Sequence, residues 1–246
     1  KPNFDLYGAK KMSEKITEIL AAHGVAADAC KMFEKYYEML IDWNSRINLT
    51  AITDETEVAY KHFLDCIGIF DCGVIGDGAK VIDVGTGAGF PGIPMKIVKP
   101  SLRLTLLDSL NKRINFLGEV VSELGFGDIE CVHARAEDAA RQKELREGFD
   151  ACVSRAVANL STLSELCLPF VRVGGYFVAM KGPKADEEIS AAKKAVRLLG
   201  GEIERIVSYK TQGFDFDHNM VVIKKIAPTA ARFPRKAPKP SKEPLG

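Results

Sequence analysis

From Lys80 onward the chain repeats one pattern five times and then abandons it. Short apolar runs at Val81–Val84, Leu104–Leu107, Ile129–Val132, Ala151–Val153 and Tyr176–Met180 are separated by helical stretches such as "NKRINFLGEVVSELG" and "LSTLSELCLPFVRVG". Parallel strands need a crossover, and this alternation is the signature of a parallel sheet wound with helices. The last two runs, Ile203–Tyr209 and Val221–Lys225, are joined only by "KTQGFDFDHNM", too short for a helix. They predict an antiparallel hairpin. The expected fold is therefore α/β, a seven-stranded doubly wound sheet with a C-terminal hairpin, an ending that the two-halved dinucleotide fold lacks.

The flanks have different textures. The first eighty residues predict helices: "SEKITEILAAHG" with Ser13 as cap and Gly24 as stop, "ADACKMFEKYYEMLIDWNSRINL" with a 3.6-residue apolar stripe, and "ETEVAYKHFLDCIGIF" as one further helix carrying His62 and Asp65. His62 and Asp65, three apart, share a face, where they are expected to hydrogen-bond the helical part to the sheet. The tail, "PTAARFPRKAPKPSKEPLG", sets five prolines and five basic residues against one acid, and predicts no helix or core of its own. It is either a solvated end or a basic arm for phosphates, with Arg235 and Lys236 in the second case. Three parts follow: a helical extension over 1–78, a main domain over 79–227 and the tail over 228–246.

Composition narrows the class. A net charge of +1 on 246 residues gives no global preference for an anionic partner. No stretch reaches the 18 or so apolar residues of a membrane span, and the first twenty residues carry charges throughout, unlike a signal peptide. The six cysteines are scattered without a C-x-x-C pair, and the four histidines are dispersed, so neither a metal nor a disulfide is expected. A cytoplasmic monomer is the expectation.

"VIDVGTGAGFPGIP" follows the first β run, and Gly87, Gly89 and Gly92 match G-x-G-x-x-G. In isolation the match is weak. It admits a pyrophosphate at a helix N-terminus, S-adenosylmethionine with its amino-acid moiety near the backbone, or a tight turn without ligand. Asp83, two residues before Gly85, suits a cationic methionine group better than a pyrophosphate. Asp108 ends the second strand, where an acid accepts from ribose hydroxyls. Ala136 and Glu137 follow the third strand and would flank an adenine. The three strand ends favour S-adenosylmethionine.

More than a fold is matched. "WNSRINLTAI", "HFLDC", "VIDVGTGAGFPGIP", "TLLDSLNKRINFL", "SRAVANL", "MKGPK" and "FPRKAPKPSKEPL" occur in that order across nearly the whole chain. Together they resemble the RsmG (GidB) family of bacterial small-subunit (16S) ribosomal RNA guanine-N7 methyltransferases. The resemblance implies a class I methyltransferase (Rossmann-like) fold and a target guanine in the decoding-region loop, with ribosomal RNA or the small ribosomal subunit as partner. It implies S-adenosylmethionine at Gly85, Gly87 and Phe90, with Asp108 on the ribose and Ala136 and Glu137 on the adenine. It places Arg155 in the cofactor pocket and Lys181 toward the RNA. His218 stands where some members carry an arginine.

Guanine N7 has a lone pair and no hydrogen, so its methylation needs alignment rather than a general base. No Asn-Pro-Pro-Tyr-like motif or Pro-Cys pair indicates another target atom, and Cys167 reads as core. Arg155 is expected either to hydrogen-bond guanine O6 or to pair with Asp83 or Glu137. Lys181 is either a phosphate contact or a surface lysine. Lys112, Arg113 and Arg135 are candidates for a basic RNA-facing patch, with Arg235 and Lys236 from the tail.

Overall fold

The computed structural model describes residues 15–155, 158–182, 186–210 and 217–246. Each apolar run is a strand: β1 (Lys80–Val84), β2 (Arg103–Asp108), β3 (Ile129–His133), β4 (Phe149–Ser154), β5 (Val171–Lys181), β6 (Gly201–Lys210) and β7 (Asp217–Lys225). They form one seven-stranded sheet in the order β3-β2-β1-β4-β5-β7-β6. β1 pairs in parallel with β2 and β4, β2 with β3 and β4 with β5, whereas β7 lies antiparallel between β5 and β6. The expected hairpin is present, with its second strand inserted next to β5.

The helices are α1 (15–22), α2 (Ala27–Asn44), α3 (Glu55–Val58), α4 (Asp65–Ile67), α5 (Gly92–Val98), α6 (Asn111–Glu123), α7 (Ala136–Ala139), α8 (Leu160–Cys167), α9 (Asp186–Leu198) and α10 (Lys239–Lys242). Strand side chains alternate between the two faces. Val81, Leu104, Leu106, Ala151, Val153 and Val178 pack with Phe33, Tyr36, Leu40, Phe63 and Phe116 from the N-terminal helices and α6. Ile82, Val84, Leu107, Cys152, Phe177 and Ala179 pack with Leu160, Leu163, Cys167, Val196 and the tail's Phe233. The α/β sheet is thus covered on both faces, and the N-terminal segment shares one of its two cores.

Three expectations need correction. The helix expected over Glu55–Phe70 is not regular: α3 passes into a π-helical turn at Ala59–Leu64, then α4, then a 3₁₀ turn at Gly68–Cys72. The wider turn coincides with the Lys61 carbonyl accepting from Arg155 of β4's end, 2.9 Å away. Such turns are rare and concentrate at functional sites. Second, the stretch "LSTLSELCLPFVRVG" leaves its helix at Cys167, and Val171–Gly174 belong to β5. Pro169 has no N–H to continue an α-helix and sits in a 3₁₀ turn.

Third, the tail is docked on the fold. Phe233 is 4% exposed, and α10 forms one helical turn. Arg146 donates to the carbonyls of Phe233 (3.0 Å) and Thr229 (2.7 Å), Arg141 to that of Pro234, and Thr162 Oγ1 to that of Pro240 (3.0 Å). Proline-rich backbone has carbonyls to spare, and here arginines from the main domain take them up. The expected cap Ser13 and the turn at 211–216 lie outside the described residues.

Candidate cofactor cleft and substrate edge

Four glycines let the chain reverse tightly after β1. Gly85, Gly87 and Gly89 have φ of 72°, 62° and 101°, a region that disfavours side chains. At Gly92 the limit is space, since a Cβ there would come within 2.5 Å of Leu106 Cδ2 and 2.9 Å of Asp83 Oδ2. Asp83 is fully buried beneath the loop. Its Oδ2 accepts from Thr86 Oγ1 (2.7 Å) and the Gly92 amide (2.9 Å), while Oδ1 has no hydrogen-bond partner among the described residues. Burial pushes this carboxyl up to about 7, against the opposing pull of Thr86, Gly92 and Arg155.

Six of the loop's amides are already committed. Gly85 and Thr86 donate to the Leu107 carbonyl, Gly89 and Phe90 to that of Thr86, Gly87 to Asp108 Oδ2 (3.0 Å) and Gly92 to Asp83. A phosphate-binding loop must present free N–H groups to its anion. Here those groups face two carboxylates and backbone carbonyls. The glycines bring backbone close to a ligand without offering it an anion hole.

Beside the loop a cleft of about 280 Å³ opens at the C-terminal ends of β1, β2 and β3. Its walls include Gly85, Asp108, Arg113, Arg135, Ala136 and Glu137. This is the side of the sheet on which open α/β folds bind ligands. Asp108, 4% exposed, accepts from the amides of Gly87 and Leu110 (2.9 Å) and from Arg113 Nη1 (3.2 Å). Glu137, in the first turn of α7, is buried at the cleft wall. Sequence reasoning missed the opposite wall: Ala158, Leu163 and Leu166, the last two on α8. Their apolar spacing carried no signal beyond that of a core-facing helix.

Arg155 does not line that cleft. It stands at the end of β4, where Nη1 donates to Asp65 Oδ2 (3.1 Å) and the Lys61 carbonyl, and Nη2 to His62 Nδ1 (3.1 Å). The expected alternative partners, Asp83 and Glu137, are replaced by Asp65, because the π-helical turn delivers that carboxylate to the sheet edge. Phe90 of the loop lies under this cluster, its ring centroid 4.9 Å from Arg155 Cζ and 4.5 Å from the His62 ring. The expected structural bond from His62 and Asp65 to the sheet is thus made through Arg155. Burial, reinforced by the Arg155 charge, pushes His62 down to about 3, so it faces the guanidinium as a neutral acceptor. Its Nε2 lies 3.0 Å from Thr50 Oγ1. Asp65 Oδ1 is meanwhile 2.5 Å from His218 Nδ1 on β7.

Lys181 is neither a surface lysine nor an open phosphate contact in this geometry. At 8% exposed, it reaches from β5 to the Ala158 carbonyl (2.7 Å) and to Glu188 (2.8 Å) on α9, and so braces the loop after β4. Arg235 is likewise engaged, in a pair with the buried Glu165 of α8. Arg113 pairs with Asp108, whereas Arg135 and Lys236 are exposed. From the N-terminal side, the Tyr36 hydroxyl donates to the Ala88 carbonyl and ties α2 to the glycine loop. In the sequence Tyr36 read only as part of an apolar stripe.

The sheet order, with an antiparallel strand inserted next to β5, and the cleft beside the glycine loop define a class I methyltransferase fold. Among solved structures, this chain is similar to M. jannaschii TYW2 in complex with AdoMet, with TM-score 0.51 and 14% identity over 66% of this chain and 77% of that one. It is similar also to TrmN from Thermus thermophilus, with TM-score 0.52 and 14% identity over 68% and 53%. The family model GidB, rRNA small subunit methyltransferase G, matches residues 29–220. The protein named ribosomal RNA small subunit methyltransferase G from Clostridium kluyveri is 54% identical over 213 residues, 87% of this chain and 89% of the relative. Its namesake from Clostridium perfringens is 50% identical over 218 residues, 89% and 91% of the two chains. The chain belongs to the GidB family.

Proposed function

We propose that this protein is an S-adenosylmethionine-dependent methyltransferase of small-subunit (16S) ribosomal RNA, and that it modifies N7 of a guanine in the decoding-region loop. The observation that carries the reading is the convergence of Gly85, Asp108, Ala136 and Glu137 on one cleft, beside a loop six of whose amides already donate to carboxylates or backbone carbonyls. The relatives' name supplies the ribosomal RNA, and the family resemblance supplies the guanine.

The residues present fit the cofactor. Asp108 and Glu137 are acceptors suited to ribose hydroxyls and an adenine amine, and the apolar wall of Leu163 and Leu166 suits the face of a base. Asp83 Oδ1, buried and unpartnered among the described residues, adds an acceptor under the loop for the methionine end. When bound, S-adenosylmethionine supplies an electrophilic methyl on a sulfonium.

The chain's own contribution is positional. An N7 lone pair attacks without prior proton removal, so no side chain need serve as a base. Arg155 has five N–H donors, of which Asp65, the Lys61 carbonyl and His62 engage three. The remaining donors can hold guanine O6, leaving N7 turned toward the methyl group. Lys181 supports this by fixing Ala158 on the same loop. Arg135 and Lys236 are exposed cations for the RNA backbone.

The test is transfer of labelled methyl to small ribosomal subunits from cells lacking the activity, followed by separation of RNA from protein. The reading expects label in the RNA. Label in protein, or none while the cofactor still binds, overturns it.

A further inference from the structure

We infer that Asp65 is a positioning residue for methyl transfer: from the end of the π-helical turn it fixes the Arg155 guanidinium at the sheet edge where the acceptor base enters. The inference rests on the proposed contact between Arg155 and guanine. Three separate parts of the chain meet here, namely the N-terminal segment (Asp65), the end of β4 (Arg155) and the start of β7 (His218).

Asp65 is fully buried and gives one oxygen to each partner, Oδ2 to Arg155 and Oδ1 to His218. Claiming both oxygens fixes the plane of the carboxylate, and that plane in turn fixes the guanidinium. The other acceptors on Arg155, the Lys61 carbonyl and the neutral His62 ring, carry no charge. Asp65 is thus the only carboxylate in direct contact with Arg155 among the described residues. Charge-assisted pairs of this kind are directional as well as strong. Phe90 closes one face of the group, so the guanidinium is confined by ring, carboxylate and carbonyl together. A misplacement of about 1 Å at an aligned reacting centre costs on the order of 100-fold in rate.

The experiment compares Asp65→Asn, Asp65→Glu, Arg155→Gln and the Asp65→Asn/Arg155→Gln double variant, reading kcat, KM for subunits, cofactor affinity and melting temperature. Asp65→Asn should lower kcat about 30-fold, with cofactor affinity within about threefold, and add less than about twofold in the Arg155→Gln background. Asp65→Glu keeps the buried charge but displaces it by one methylene. It should lose about tenfold in kcat while cofactor affinity stays within about threefold, a split that a general loss of folded protein would not produce. Multiplying losses in the double variant, or an Asp65→Glu kcat within about twofold of the unaltered protein, would overturn the inference.

Nuclear magnetic resonance of the Arg155 guanidinium decides the matter independently of activity. Restricted rotation in the unaltered protein and averaged signals in Asp65→Asn support positioning, and equal mobility in both refutes it. If the unaltered protein transfers no methyl to subunits, the ribosomal reading fails, and this signal still answers whether Asp65 holds Arg155.

Discussion

Arg235 and Glu165 lie 70 positions apart and join the C-terminal tail to helix α8 through a fork. Arg235 Nε is 2.9 and 3.1 Å from the two carboxylate oxygens, Nη2 is 2.6 Å from Oε2, and the Arg235 amide is 2.7 Å from Oε1. Glu165 is fully buried, and among the described residues Arg235 supplies the hydrogen bonds to its carboxylate. Leu163 and Leu166 on the same helix turn toward the cofactor cleft, which ties the tail to that wall.

Arg235→Ala should therefore cost about 3–5 kcal/mol in unfolding free energy, because it leaves an uncompensated buried carboxylate. Lys236→Ala, one residue along and exposed, should stay within about 0.5 kcal/mol. Urea denaturation of the two variants makes the comparison. Equal midpoints would contradict the anchoring role.

Gly92→Ala tests the packing of the glycine loop. The added methyl meets Leu106 Cδ2 at 2.5 Å and Asp83 Oδ2 at 2.9 Å, atoms of two fully buried side chains. Overpacking of this kind costs about 1–3 kcal/mol. Stability should fall by that amount, and calorimetry should show weaker cofactor binding from the displaced loop.

Asp108→Asn probes the cleft itself. The carboxylate oxygens hold Gly87, Leu110 and Arg113 and are the acceptors we propose for the ribose. Hydrogen bonds to charged groups contribute about 1.5–3 kcal/mol each. Cofactor affinity should drop at least about tenfold, with a smaller change in the KM for subunits. An unchanged cofactor affinity would place the ligand elsewhere.

Two buried groups give stability opposite slopes with pH. Asp83 titrates at about 7 in the fold against an ordinary 3.8, so the folded state holds the proton more tightly than the unfolded chain. Its contribution is present in full below about pH 4 and is lost as pH rises through 7. His62 is depressed to about 3 from 6.5, so its contribution is present above pH 6.5 and lost as pH falls toward 3. Asp83→Asn should consequently gain on the unaltered protein as pH rises from 5 to 7, by up to about 1.4 kcal/mol per pH unit. Denaturation midpoints at pH 5, 6, 7 and 8 measure that difference, and a constant difference contradicts the buried titration.

Local pattern made the sheet legible. Alternation of β-branched runs and amphipathic stretches placed all seven strands, and the short connection before Val221 gave the antiparallel hairpin. The cleft acids Asp108 and Glu137 were legible because strand ends fix their place. What the sequence left open depends on distant partners. Nothing near Arg155 in the chain indicates that Asp65, 90 positions earlier, takes its charge. Lys181 looked exposed beside a Gly-Pro turn, but the approach of α9 and the loop after β4 buries it. The tail's composition reads as disorder, since its anchors, Arg141, Arg146 and Glu165, belong to other elements. The π-helical turn leaves no periodicity signal, because it lasts only from Ala59 to Leu64.

The most direct test of the central claim is the identity of the modified nucleoside. Subunits from cells lacking the activity, incubated with the protein and labelled S-adenosylmethionine, are digested to nucleosides and separated with mass detection. The account predicts label in 7-methylguanosine alone, lost in Arg155→Gln. Label in any other nucleoside, or an Arg155→Gln variant as active as the unaltered protein, would contradict it.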